Sequence, residues 1–256
     1  MPGLLKGKSK VSWEVGISSD SGGRKVNEDT AQSAKSRDGA LCLVVADGLG
    51  GHGGGDQASK AAAQCICEGF TAQTGLEELR GLILEANSRI LSLQTKQCEM
   101  KTTAVVLIIN KDHMVRAHVG DSRLYHFIDG NLVFQTRDHS VAQMSVVLGD
   151  ISPDEIRFNE DRSKVLRALG QDGNLNVEMR EEDLRAGRHA FLLCTDGFWE
   201  YVLEDEMEET LRAAANPDDW IARMRSCLSE RVNELCGDDP CNDNNTAAAA
   251  FVTVKK

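Results

Sequence analysis

Long apolar runs are missing from this 256-residue sequence. Its longest apolar segments, residues 41–46 and 103–109, have the length of β-strands and fall well short of the roughly 20 residues that span a bilayer. Residues 1–10 are basic but contain no apolar stretch long enough for a secretory signal, so they predict a flexible tail. These absences predict a cytoplasmic protein that makes no membrane contact.

The sequence also has fewer basic than acidic residues. The chain has 29 Lys and Arg residues against 40 Asp and Glu residues, which gives a net charge of -11. Such an acidic surface disfavours nucleic acid or an anionic membrane as the main partner. The surplus of acid is compatible with cation binding, although acidic surfaces more often serve solubility. A hydrophobic content of 41% indicates an ordinary globular protein.

The eight cysteines do not form a recognisable metal or disulfide pattern. No CxxC pair occurs, and Cys236 with Cys241 lacks the second pair that a zinc site would need. Cys42 and Cys194 fall inside apolar strand-like segments, where a free cysteine behaves as a small hydrophobic residue. We therefore expect reduced, mostly structural cysteines.

The hydrophobic pattern predicts one α+β domain over residues 11–256, with largely antiparallel sheets covered by helices. Three helices are predicted: one N-capped by Asp56 that runs through 61–70, one that opens with a Thr74/Glu77 capping box, and one that is capped by Asn216. Strands are predicted at 11–18, 41–46, 102–109, 114–119, 123–128, 132–135, 190–194 and 248–254. Residues 141–169 lack a strand signal and predict a flap-like insert.

Several carboxylates stand at the ends of predicted strands. Asp47, Asp121 and Asp196 directly follow apolar strands, and Asp243 precedes the last one. Clustered carboxylates repel one another unless cations lie among them, and Mg²⁺ and Mn²⁺ prefer oxygen ligands. The competing interpretation is that Asp-Gly is simply a common turn dipeptide. We assign that role to three other aspartates, Asp38, Asp129 and Asp172.

The order of short motifs decides between these interpretations. The sequence resembles the type 2C, metal-dependent Ser/Thr protein phosphatases, in their bacterial form. The resemblance rests on segments that follow the family order: 24–29 (RKVNED), 47–52 (DGLGGH), 58–59 (AS), 102–105 (TTAV), 120–123 (GDSR), 138–140 (DHS), 167–170 (RALG), 194–197 (CTDG) and 243–246 (DNNT). Each motif is weak alone, but the ordered set covers nearly the whole chain.

The resemblance implies a four-layer αββα sandwich, with two antiparallel β-sheets flanked by helix pairs. It also implies a site for two Mn²⁺ or Mg²⁺ ions, and for a third, looser one. The implied metal-binding residues are Asp47, the backbone carbonyl of Gly48, Asp121, Asp196 and Asp243. The implied catalytic residues are Glu28 and Asp29, which would hold metal-bound waters, and Arg24, which would clamp the substrate phosphate.

The implied reaction is the hydrolysis of phosphoserine and phosphothreonine in proteins by a water that two metal ions activate, without a phosphoenzyme. The implied substrates are those of a Ser/Thr kinase, and we expect a monomer. Leu49 occupies the position where many eukaryotic relatives have a histidine, so the general acid is left unassigned. Two alternatives stay open: a catalytically silent pseudophosphatase that serves as a regulatory binding module, and a hydrolase of small phosphoesters.

Overall fold

The computed structural model describes residues 10–50, 53–237 and 241–255. All of the predicted tail except Lys10 lies outside the described residues, as do Gly51 and His52 of the DGLGGH motif. The strands are β1 Lys10–Asp20, β2 Thr30–Lys35, β3 Leu41–Ala46, β4 Gly48–Leu49, β5 Lys101–Thr102, β6 Ala104–Asn110, β7 His113–Val119, β8 Arg123–Ile128, β9 Asn131–Gln135, β10 Glu178–Asp183, β11 Gly187–Cys194 and β12 Asn245–Lys255. The helices are α1 Gly55–Gly69, α2 Leu76–Leu93, α3 Val141–Leu148, α4 Asp196–Trp199, α5 Glu204–Ala213 and α6 Pro217–Cys236, with a 3₁₀ helix at Pro153–Phe158.

Two five-stranded sheets form the centre of the molecule. The first has the order β1-β12-β11-β8-β9, and the second has the order β10-β7-β6-β3-β2. Every strand pair in both sheets is antiparallel. The predicted antiparallel α+β architecture is therefore confirmed.

Three apolar layers hold these sheets and helices together. Phe191, Leu107 and their neighbours fill the space between the two sheets. On the outer face of the second sheet, α1 and α2 bury residues such as Ile66 and Ile83. On the outer face of the first sheet, α5 and α6 bury Met207, Trp220 and Met224. Because each sheet packs its two faces against different partners, the predicted four-layer sandwich follows and is confirmed.

All eight predicted strands are present, but the sequence pattern missed the two outer strands of the second sheet. Strand β2 (TAQSAK) has no fully buried side chain, and β10 (EMREED) has five charged residues out of six. Edge strands of this kind carry polar and charged side chains that discourage pairing with other chains, so they lack the apolar alternation that marks a strand.

Two of the three predicted helices begin one or two residues away from their predicted caps. The N-cap of α1 is Gly54, with φ of 97°, and Asp56 lies in the first turn instead. At α2 the Glu78 carboxylate accepts a hydrogen bond from the Gly75 N–H at 3.1 Å, so the predicted Thr74/Glu77 box is wrong by one residue. The third cap is confirmed, because Asn216 Oδ1 accepts from the Asp219 N–H at 2.9 Å.

The cysteine prediction is wrong for one pair. Cys236, the last residue of α6, forms a disulfide with Cys241. The other six cysteines, Cys42, Cys65, Cys67, Cys98, Cys194 and Cys227, are free. Within the described parts of the chain, no helix combines the length and apolar character that a membrane crossing needs.

Candidate metal centre

The predicted carboxylates lie at one end of both sheets. In the second sheet Thr30 pairs with Ala46, which places Asp29 and Asp47 side by side, and Ala104 pairs with Val119, which brings Asp121 to the same end. In the first sheet Cys194 pairs with Ala247, so that Asp196 and Asp243 meet across the ends of β11 and β12. Strand pairing therefore gathers residues that are far apart in the sequence.

Two threonines, Thr102 and Thr103, make hydrogen bonds to the backbone of Asp47. Thr103 Oγ1 accepts from the Asp47 N–H at 2.9 Å, and the Thr103 N–H donates to the Asp47 carbonyl at 2.8 Å. Thr102 Oγ1 donates to the same carbonyl at 2.7 Å. These contacts use the backbone of Asp47, so its carboxylate remains directed at the other aspartates. The TTAV motif thus has a positioning role that sequence reasoning had not assigned.

Burial and mutual repulsion raise the pKa values of these carboxyl groups. The pKa of Asp47 lies well above its ordinary value, mainly because the group is desolvated and then because Asp29, Asp196 and Asp121 surround it. The pKa values of Asp121 and Asp196 are raised for the same leading reason. Desolvation raises the pKa of Asp29 to about 7. A cluster of this kind is unfavourable unless protons or cations neutralise it.

Two oxygen atoms of the cluster show what kind of ligand is needed. Asp29 Oδ1 and Asp121 Oδ1 are buried and have no hydrogen-bond partner. Buried acceptors without partners are rare in folded proteins, and such atoms commonly bind an ion or a water molecule. Because the donor set consists of carboxylate and carbonyl oxygens, the residues fit hard divalent cations such as Mg²⁺ and Mn²⁺.

Asp29 is the carboxylate that joins the two sheets. Its Oδ2 accepts from Thr195 Oγ1 at 2.9 Å, while Thr195 Oγ1 accepts from the Thr246 N–H at 3.0 Å. This chain of hydrogen bonds fixes Asp29 of the second sheet to the ends of β11 and β12 in the first. One oxygen is thereby committed to structure, and the other remains free within the cluster.

Glu28 contacts the glycine-rich loop rather than the aspartates. Its side chain accepts hydrogen bonds from the backbone of Gly50 and Gly55, and desolvation raises its pKa. A Cβ atom on Gly48 would overlap the backbone of Gly55 and Glu28, so this position admits only glycine. The predicted metal-binding carbonyl of Gly48 therefore belongs to a closely packed backbone crossing.

Arg24 lies at the exposed edge of the cluster. Its Nη2 donates to Asp243 Oδ2 at 2.6 Å, and the side chains are 62% and 46% exposed. The hydrogen bond to Asp243 raises the pKa of the guanidinium, with smaller contributions from Asp196 and Glu28. The residue predicted to clamp phosphate thus pairs with a residue predicted to bind metal.

Asn244 is a structural residue of the site that sequence reasoning missed. Its Oδ1 accepts from the Glu28 N–H at 2.8 Å, and its Nδ2 donates to the carbonyls of Ser21 and Val26 at 2.9 and 3.0 Å. The side chain therefore fixes the loop that carries Arg24 to the segment that carries Asp243. The only signal in the sequence was its place in the DNNT motif.

Comparison with known proteins decides the family. The sequence profile described as protein phosphatase 2C matches residues 19–235. The chain belongs to this family. A serine/threonine phosphatase stp from Listeria welshimeri is 34% identical to this phosphatase over 226 residues, which cover 84% of this chain and 88% of the relative.

Solved structures agree with this family. The serine/threonine phosphatase PstP/Ppp of Mycobacterium tuberculosis superimposes on this phosphatase with a TM-score of 0.80, at 27% identity, over 93% of this chain and 97% of the other. A second structure, the catalytic domain of PstP in complex with two manganese ions, gives a TM-score of 0.78 at 27% identity and covers 95% and 100% of the two chains. The predicted class, a metal-dependent protein Ser/Thr phosphatase, is confirmed.

Proposed function

We propose that this phosphatase hydrolyses phosphoserine and phosphothreonine in proteins by direct attack of water at the carboxylate cluster. The observation that carries this proposal is the set of buried, mutually repelling aspartates, two of which have an oxygen without a partner. A module that served only for binding would gain nothing from such a cluster, because it destabilises the fold unless cations are bound. This argument favours an enzyme over a pseudophosphatase.

Five residues are proposed to hold the cations. Asp47 would bridge two ions, with the Gly48 carbonyl on one of them and with Asp196 and Asp243 on the other, and Asp121 with Asp196 would hold a third. Paired Mn²⁺ or Mg²⁺ ions lower the pKa of a bound water and neutralise phosphoryl oxygens. The relative that was solved with two manganese ions supports this choice of metal.

The chain's own residues orient the substrate around this cluster. Arg24 offers a planar guanidinium that matches two phosphate oxygens and remains charged at any physiological pH. Its present partner, Asp243, is half exposed, so a phosphate can replace it. Glu28 and Asp29 are proposed to hold metal-bound waters, Asp29 through its unpartnered Oδ1 and Glu28 from beside the glycine-rich loop. In this mechanism water attacks phosphorus and the seryl or threonyl oxygen leaves, so no phosphorylated residue forms on the enzyme.

Residues 141–169 are proposed to act as the flap that selects substrates. Val147, Leu148 and Phe158 are 65%, 71% and 81% exposed, which is unusual for large apolar side chains. Arg162 Nε donates to Glu200 Oε1 at 2.9 Å, and Glu200 directly follows α4, the helix that begins with Asp196. The flap is therefore attached beside the cluster and exposes apolar side chains to a bound polypeptide.

A matched pair of variants tests the flap. Phe158→Ser should change the ranking of phosphopeptide substrates with apolar flanking residues. Leu235→Ser is the control, since Leu235 is also an exposed apolar residue, at 69%, but lies on α6. An equal preference in both variants and in the wild type would refute this role of the flap.

Three further properties belong to the proposal. The substrates are proposed to be products of a Ser/Thr kinase, which phosphoproteomics of a deletion strain would identify. The phosphatase is proposed to be a monomer, which light scattering tests. It is proposed to act in the cytoplasm, and cell fractionation is the test.

The decisive experiment compares wild type with Asp196→Asn in a Mn²⁺-dependent assay on phosphopeptides and on a small aryl phosphate. Mn²⁺-dependent hydrolysis of phosphopeptides that the variant lacks would support the proposal. A folded wild type without activity would favour the pseudophosphatase, and activity on the aryl phosphate alone would favour a small-phosphoester hydrolase. Recovery of a phosphorylated enzyme after a rapid acid quench would refute direct hydrolysis by water.

A further inference from the structure

His139 contacts the turn that carries Asp121. The His139 N–H donates to the Gly120 carbonyl at 2.9 Å, and the Gly120 N–H donates to His139 Nδ1 at 3.1 Å. Gly120 has a φ of 104°, and a Cβ atom there would overlap the Thr103 side chain. The turn before Asp121 thus has a conformation that only glycine adopts easily, and His139 makes two hydrogen bonds to it, one through its backbone N–H and one through its ring.

The contact with Gly120 determines the tautomer of His139. Because Nδ1 accepts a hydrogen bond, the proton of the neutral ring must be on Nε2. His139 Nε2 is buried and has no hydrogen-bond partner, and the whole residue is only 8% exposed. The nearest carboxylate oxygen is Glu178 Oε2, at 3.9 Å from Nε2. The side chain of Glu178 is 53% exposed, so a small rotation brings it to the roughly 3 Å of a hydrogen bond.

The same residues could be taken for a transition-metal site, since ligand atoms of His118, His139 and Glu178 lie within 4.8 Å of one another. Three observations oppose that interpretation. The His118 and His139 rings are stacked, with centroids 4.6 Å apart and planes 8° apart, so their in-plane lone pairs do not converge on one ion. The Nε2 atom of His139 already carries a proton. His118 Nε2 donates to the Arg137 carbonyl at 2.8 Å. We therefore interpret His118, His139 and Glu178 as a hydrogen-bonded group and not as a metal site.

We propose that His139 is a positioning residue for the turn formed by Gly120 and Asp121, and that Glu178 holds the His139 ring by accepting its Nε2 proton. Glu178 is the cross-strand partner of His118 in the β10–β7 pair, which places its side chain over the stacked rings. These contacts hold the turn, and with it the buried, unpartnered Asp121 Oδ1, in one position. This inference rests on the proposed role of Asp121 as a ligand of a third cation.

Two substitutions of His139 separate its contacts. His139→Asn keeps an acceptor at the position of Nδ1, so it retains the contact with Gly120 and loses the contact with Glu178. His139→Gln keeps a donor at the position of Nε2 and leaves the buried Gly120 N–H without an acceptor. We expect the weakest Mn²⁺ binding step in calorimetric titrations to be lost or weakened roughly tenfold in His139→Gln, and to remain closer to wild type in His139→Asn.

Substitutions of Glu178 test its role, and the control residue lies on the same strand, β10. Glu178→Ala removes the acceptor and should weaken the same Mn²⁺ step by a few-fold, roughly the effect of one hydrogen bond. Glu178→Gln retains an acceptor oxygen and should restore most of that affinity. Glu181→Gln is the control, because Glu181 faces His113 instead. Equal Mn²⁺ affinity in Glu178→Ala and in wild type would overturn the role of Glu178.

Two readouts do not depend on activity. In ¹⁵N-labelled wild type the His139 ring should show the Nε2–H tautomer, and the Gly120 amide resonance should shift in His139→Gln but much less in His139→Asn. Asp121→Asn is the reference for the third cation and should abolish the weakest Mn²⁺ step. If Asp121→Asn keeps the weakest Mn²⁺ step, the proposed ligand role of Asp121 is wrong. The Gly120 amide resonance then tests by itself whether His139 positions the turn. A Gly120 amide that is unmoved in His139→Gln, an Nδ1–H tautomer, or Zn²⁺ binding that depends on His139 would overturn the proposal.

Discussion

Arg24 and Asp243 form an ion pair at the mouth of the carboxylate cluster, with Arg24 Nη2 at 2.6 Å from Asp243 Oδ2. Both side chains are largely exposed, and an exposed ion pair contributes little to stability because water screens its charges. The pair therefore keeps the guanidinium beside the cluster without committing it to the fold. A cation that binds Asp243 withdraws the partner of Arg24 and leaves the guanidinium available to phosphate.

Removal of Arg24 should weaken substrate binding and leave the fold intact. In Arg24→Ala we expect kcat/KM for a phosphopeptide to fall roughly 10- to 100-fold, which is the worth of one or two charge-assisted hydrogen bonds. Arg24→Lys should recover part of the loss, since it keeps the charge but not the planar fork. Steady-state kinetics and urea unfolding check both variants. A large fall in the free energy of unfolding with unchanged kinetics would contradict this role.

Deprotonation of Asp29 should destabilise the metal-free protein as the pH rises. The folded-state pKa of Asp29 is about 7, against 3.8 for an ordinary carboxyl group. A raised pKa means that the folded state holds the proton more tightly, so the stabilisation is complete below pH 3.8 and is lost as the pH rises through 7. Each such proton changes the free energy of unfolding by roughly 1.4 kcal/mol per pH unit.

Urea unfolding of EDTA-treated protein at pH 5 and pH 8 measures this effect. Asp29→Asn cannot lose the proton, so its stability should decline less between these two pH values than that of wild type. Saturating Mn²⁺ should stabilise the wild type, because the cation binds the folded state only. A wild type whose stability changes with pH in parallel with that of Asp29→Asn would contradict the raised pKa of Asp29.

The sequence predicted the central strands well because they are apolar on both faces. Strands β3 and β6 are buried along nearly their whole length, and their apolar segments are unmistakable. The same reasoning could not find β2 and β10, whose polar composition follows from their place at the sheet edge. In α6 Val232 lies in the core whereas Leu235 is 69% exposed, so apolar character alone does not identify the buried face of this helix.

The aspartates of the site were predictable as a set, but their surroundings were not. Strand register brings Asp29 beside Asp47 and Asp196 near Asp243, and register is not visible in a single sequence. The pairing of Arg24 with Asp243, and the loop contacts of Asn244, join residues more than 200 positions apart. The motifs identify such residues as candidates, but only the three-dimensional structure shows what each one contacts.

A buried histidine pair should make the protein less stable in acid. His126 Nε2 lies 2.9 Å from His189 Nδ1, and His189 Nε2 donates to the Arg185 carbonyl at 2.9 Å. Burial, followed by the charges of His189 and Arg116, lowers the pKa of His126 to about 3. Because the pKa is lowered, the stability present above the unfolded value of 6.5 is lost as the pH falls towards 3.

His126→Phe removes this titrating group and keeps an aromatic ring beside Phe191, which lies 4.3 Å from the His126 ring. Its free energy of unfolding should fall less steeply than that of wild type between pH 7 and pH 5, by roughly 1.4 kcal/mol per pH unit. The comparison of slopes remains valid even if the variant is less stable overall. Parallel slopes for the two proteins would show that His126 is protonated in the folded state.

Two glycines provide a matched test of the backbone crossing at the cluster. A Cβ atom on Gly48 would overlap the backbone of Gly55 and Glu28, whereas a Cβ atom on Gly81, within α2, would meet no atom within 4 Å. Gly81→Ala should raise the free energy of unfolding by about 0.5–1 kcal/mol, because alanine restricts the unfolded chain and favours helix. Gly48→Ala should separate the glycine-rich loop from Glu28, and both Mn²⁺ affinity and kcat should fall. If Gly48→Ala keeps wild-type Mn²⁺ affinity in calorimetry, the Gly48 carbonyl does not need this close crossing to face a cation.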